Sequence, residues 1–69
     1  MTGQEITKHT IQKIEEIVAE ANLEKDQLKK NFHFNTAYGA YYLWLRLTAT
    51  ESCKAWHIEA DQRIVEILF

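Results

Sequence analysis

An all-α domain of three or four short helices is the fold this sequence predicts, and three observations predict it. The 69 residues contain no proline and only two glycines, Gly3 and Gly39, so little obliges the backbone to leave a helix. Apolar residues recur at three- and four-residue spacings, with charges of both signs between them. Thr2 and Glu5 stand in capping-box register, in which a hydroxyl accepts from the amide three residues on while the carboxylate reaches back. The length allows one domain, residues 1–69, around one small core.

The first helix is expected to start at Thr2 and to run to about Ala21. Ile6, Ile14, Ile17, Val18 and Ala21 fall near one face with Ile11 on its border, while Lys8, Lys13, Glu15, Glu16 and Glu20 take much of the remainder. Asn22 tolerates left-handed backbone and is the expected stop. A short second helix follows, from about Glu24 to Asn31, with Leu28 and Phe32 one turn apart, Leu23 leading in, and Asp26 spaced to pair with Lys30. His33-Phe34-Asn35 reads as a connection, and Asn35 or Thr36 as the cap of a third helix from about Ala37 to Leu47. That helix carries Tyr38, Tyr41, Tyr42, Leu43, Trp44, Leu45 and Leu47, and is apolar on nearly every face. It therefore belongs at the centre of the core or beneath another subunit. Gly39 inside it costs ~1 kcal/mol relative to alanine, which a close crossing by another helix would explain. Thr48 and Glu51 repeat the capping-box spacing and place a break before the last helix, an unbroken helix from Ala37 onward being the competing reading. The last helix lines up Ala49, Cys53, Trp56, Ala60, Ile64 and Ile67, with Ile58, Val65 and Phe69 as a second, narrower stripe.

The aromatic residues carry the functional argument. Seven of the eight lie between Phe32 and Trp56. Each ring needs roughly 150–250 Å² of cover, and a chain of about 60 residues buries only ~60% of its unfolded surface. A single core below ~70–80 residues rarely supplies more than ~3–5 kcal/mol, and disulfides, metals or oligomerisation are the usual supplements. Cys53 is the only cysteine, so no internal disulfide exists and association becomes the leading supplement.

Composition argues against several functions. A formal charge of −2 gives no global attraction to nucleic acid or anionic lipid. The apolar stretch Tyr41–Leu47 is too short to span a bilayer and contains Arg46. No secretory signal is visible at the N-terminus, and with a lone cysteine this points to the cytoplasm. There is no Gly-rich phosphate loop and no nucleophile elbow. Ser52, Cys53 and His57 invite a nucleophile-and-base reading. One turn apart on an apolar stripe, however, Cys53 and His57 read as structural, with no orienting third group. The same pair lacks zinc partners at diagnostic spacing, His9, His33 and Asp61 being the only supplements. Glu15/Glu16 and Glu20/Glu24 read as solvated helix faces. No catalytic residue, metal or cofactor is expected.

The run from Val18 to Leu23, followed by Leu28, resembles the hydrophobic pattern of a DNA-binding helix-turn-helix, with Asn22 where a turn glycine often sits. The resemblance covers about 20 residues and implies that Leu23 and Leu28 pack the second helix onto the first. Lys25, Gln27, Lys29 and Lys30 would then face DNA, against the repulsion of Glu24 and Asp26.

The leading expectation is a non-enzymatic homodimer that regulates or inhibits a larger protein by occluding its surface. Tyr38, Tyr41, Tyr42, Trp44 and Arg46 are the expected partner contacts, being residue types enriched at interface hot spots. Trp56, Ala60, Ile64 and Ile67 are the expected dimer contacts. A helix-turn-helix regulator is the alternative.

Overall fold

A computed structural model describes residues 1–69 as three helices: α1 (Gly3–Leu23), α2 (Gln27–Leu47) and α3 (Ala55–Leu68), with a 3₁₀ turn at Ala49–Glu51 between the last two. There are no strands, and no helix is long and apolar enough to cross a membrane.

The start of α1 follows the sequence reading. Thr2 and Glu5 form the full capping box, the Thr2 Oγ1 accepting from the Glu5 amide at 3.1 Å. The end differs. The helix continues through Asn22 to Leu23, and no residue adopts positive φ. The turn is made instead by Glu24 in extended conformation and by Asp26, whose carboxylate accepts from the amides of Leu28 and Lys29 at 2.9 and 3.3 Å. Asp26 is thus the N-cap of α2 rather than the partner of Lys30.

The expected second and third helices are one. No break occurs at His33–Asn35, because α2 runs unbroken for 21 residues. Thr36, a candidate cap, bonds back to the Phe32 carbonyl at 3.0 Å, so its hydroxyl is satisfied inside the helix. The break after Leu47 is real but is not a capping box. The Thr48 hydroxyl donates to the Trp44 carbonyl at 2.7 Å and makes no cap bond to the following turn. Consequently α3 begins only at Ala55, and Ala49 and Cys53 lie outside it.

The helices run up, down and up. Trp44 near the end of α2 bonds Thr7 near the start of α1, so these two are antiparallel. Arg63 of α3 pairs with Glu15 of α1 at 2.8 Å. Contacts from Thr48–His57 through Tyr41–Asp61 to Tyr38–Phe69 run α3 antiparallel to α2. Ile14, Ile17, Ala37, Trp44, Ala60, Ile64 and Leu68 form the core, with Ile6, Ile11, Val18 and Leu45 partly buried around it. Ala60 and Ile64 therefore face the chain's own interior, and Trp56 and Ile67 are half-buried beside it. This corrects the expected dimer stripe: the outward stripe of α3 is Ile58, Val65 and Phe69.

Because α3 has 14 residues against 21 in each partner, it stops where Phe69 stacks on Tyr38, with ring centroids 5.5 Å apart. Beyond that level α1 and α2 continue as a two-helix overhang. Leu23 at its tip is 82% exposed and Leu28 80% exposed. At the opposite end, the Glu51 carboxylate lies against Gly3, where an added methyl would overlap it, and pairs with Lys54 at 3.7 Å. A carboxylate there complements the positive end of α1.

Candidate functional site

Trp44 organises the interior. Its side chain is 1% exposed. The indole Nε1–H donates to Thr7 Oγ1 at 2.7 Å, and Thr7 passes its own hydroxyl hydrogen to the Gly3 carbonyl at 2.7 Å. On the other side the indole stacks on His57, with centroids 4.4 Å apart and planes 16° from parallel. The one hydroxyl hydrogen of Thr48 goes to the Trp44 carbonyl, so the 2.8 Å bond with His57 requires that Nε2 carry hydrogen and donate. One residue of α2 is thereby tied to α1 and α3 with every buried side-chain donor and acceptor satisfied. Trp44 is a core residue, which corrects its expected role as a surface contact.

The other expected partner contacts separate into two sets. Tyr38 and Tyr41 are half-buried along the α2–α3 seam. Tyr38 stacks on Phe69, and the Tyr41 hydroxyl donates to Asp61 Oδ1 at 2.5 Å. Burial first, then the hydrogen bond and negative charge of Asp61, push the Tyr41 phenol up to about 12. Tyr42 and Arg46 instead point outward, and Arg46 enters none of the chain's ion pairs.

Tyr42 and Arg46 belong to a larger surface. Leu28, Phe32, Tyr42, Leu43 and Leu47 are each 57–80% exposed, and at 100° per residue they share one side of α2 with Asn35, Gly39 and Arg46. The strip is roughly 28 Å long at 1.5 Å per residue. Gly39 lies in its middle, with ordinary helical φ and nothing within 4 Å of where a Cβ would stand. Along one edge, between α1 and α2, runs an apolar groove of about 280 Å³ whose walls include Met1, Ile6, Ala40, Leu43, Trp44 and Leu47. A second hollow of about 370 Å³ lies between α1 and α3 beside Thr7, Ile11 and Trp56 and is edged by Gln4 and Lys8.

Sequence reasoning missed Leu28, Phe32, Leu43 and Leu47 as members of one surface. A break at His33–Asn35 would have put them on separate helices. With that break removed, positions 28, 32, 39 and 43 are the signal, since they recur at four- and seven-residue steps.

The remaining candidates lie around the connection before α3 and at the overhang. Cys53 is exposed on the connection before α3 while His57 is buried behind it, so they share no face. No group of three or more His, Cys, Asp and Glu side chains is placed to hold a metal ion. Lys25, Gln27 and Lys29 are exposed at the overhang and Lys30 is half-buried, with the Gln27 side chain donating to Asn31 Oδ1 at 2.8 Å. The packing that a helix-turn-helix requires is absent, because Leu23 and Leu28 face solvent and α1 and α2 form a long antiparallel hairpin.

No family model matches this chain, and no curated protein or solved structure matches it significantly.

Proposed function

We propose that this protein is a non-enzymatic regulator that acts by binding another protein through the outer face of α2. The observation that carries this reading is the uncovered strip from Leu28 to Leu47. Its five large side chains offer on the order of 600 Å², the upper end of what a monomer ordinarily exposes in one patch. Tyr42 and Arg46 on that strip combine contact area with polar tips, the pairing that hot spots favour. Tyr38 and Tyr41 support the face from the seam behind it, and Trp44 holds the helix in place.

The test is capture from native extract by the parent chain beside Tyr42→Ala and Arg46→Glu, both exposed positions at which folding is checked by helical circular dichroism. A protein retained by the parent and lost by both variants is the expected result. Nucleic acid alone in the eluate, lost on converting Lys25 and Lys29 to glutamate and with salt, would overturn it in favour of a DNA-binding regulator.

A further inference from the structure

We infer that the protein occupying the outer face of α2 is a second copy of this chain, packed antiparallel across Gly39. The inference rests on the reading that this face binds protein, and it names the occupant. Three features of the face fit a copy of itself.

The first is a knob and a socket on one surface. Phe32 is 70% exposed on the outer side of α2. The groove walled by Ile6, Ala40, Leu43 and Leu47 lies along the same edge of α2, about three turns away. A two-fold axis near Ala37 sets residue 32 of each copy opposite residue 42 of the other. Each Phe32 ring then enters the other copy's groove beside Leu43. A two-fold contact is isologous, so one knob and one socket per chain close the assembly at two.

The second is the backbone at the crossing. The same axis sets Asn35 opposite Gly39, within about one turn of the point of closest approach. Gly39 has no reason within its own chain to be glycine: φ is ordinary and no atom crowds the missing Cβ. A neighbouring helix backbone at that point supplies the reason.

The third is charge. The axis lays the Arg46 stem over Leu28 of the other copy, with its guanidinium reaching toward that copy's Glu24, the cap of α1, and Asp26, the cap of α2, beside the exposed Lys25 and Lys29. A parallel arrangement would set Arg46 against Arg46. The strip offers on the order of 600 Å² per chain against the ~800 Å² of a standard interface side, and the groove walls and the Arg46 stem supply much of the remainder. The low end of that size class is where weak, transient associations are found.

Sedimentation equilibrium of the full chain tests this. The parent is expected to reach twice its chain mass at micromolar concentration. Phe32→Asp, a change at an exposed site, is expected to raise the dimer dissociation constant at least ~100-fold, since the ring is lost at both halves of the contact. Gly39→Ala is expected to weaken the dimer while making the dilute monomer more resistant to urea, a combination that a merely structural glycine would not give. Arg46→Glu is expected to weaken it and Arg46→Glu with Glu24→Lys to recover it. A parent that stays monomeric at high concentration would overturn the inference. So would a dimer indifferent to Phe32→Asp but split by Phe69→Asp, which would place the contact on α3. A monomeric parent that still loses a captured protein on Tyr42→Ala leaves the binding face standing with a different occupant. A monomeric parent whose capture ignores that substitution removes both.

Discussion

The lower part of the molecule and its overhang are built from the same two helices and differ in almost everything else. Below Tyr38, α3 closes the gap between α1 and α2, and a tryptophan, two threonines and a histidine interlock with no buried side-chain polar atom left unbonded. Above Tyr38 there is no third helix, and Leu23, Leu28 and Phe32 face outward. The lesson is that one continuous helix serves two purposes along its length. The residues that fix the fold and those that offer themselves to another molecule alternate on opposite sides of α2.

Substitutions can break this contrast, and the largest effect falls on the lower part. Trp44→Ala is expected to lower unfolding free energy by about 3–5 kcal/mol, since it removes a fully buried ring together with its hydrogen bond to Thr7 and its stack on His57. Phe32→Ala in dilute solution is expected to stay within about 0.5 kcal/mol of the parent. Equal losses in urea titrations of the two variants would erase the distinction. Thr48→Val is expected to cost about 1–3 kcal/mol, because the buried His57 Nε2–H loses its acceptor. Chemical denaturation beside Thr36→Val, an exposed threonine with a single local bond, separates this from loss of a hydroxyl in general.

A smaller change of opposite sign is expected on the outer face. Gly39→Ala should raise monomer stability by about 0.8–1.0 kcal/mol, read from urea midpoints at concentrations below association. The smallest is a pH effect at the seam. The folded state holds the Tyr41 phenol protonated up to about 12, above its ordinary value of 10.0, so it binds more protons than the unfolded chain between those values. The stability from this group is complete below pH 10.0 and is lost as pH rises toward 12. Spectrophotometric titration should show a tyrosine step near pH 12 that Tyr41→Phe abolishes.

The contrast also sorts what the sequence reveals. Helix α1 is legible because its cap and apolar face agree. The all-helical class follows from the scarcity of breakers. The continuity of α2 is not legible, since Asn35 and Thr36 are good caps by type, and only the Phe32 carbonyl shows that Thr36 spends its hydroxyl locally. The orientation of α2 is hidden for a related reason. A helix apolar on every side gives no preferred direction, so Trp44 and Tyr42 look alike although one is the centre of the core and the other faces water. The polar part of the core left one faint trace, the seven-residue recurrence of Thr7, Ile14 and Ala21 on a single buried line.

The placement of the two tryptophans gives the molecule an uneven set of optical reporters. Trp44 is sealed against an imidazole, and Trp56 sits half-open at the mouth of the hollow between α1 and α3. A small solute quencher should reach the second and spare the first until the bundle opens. Between Leu23 and Phe34 there is no indole at all. Melting of the bundle is therefore bright to emission spectroscopy, whereas fraying at the hairpin tip passes unseen unless a fluorophore is placed there deliberately.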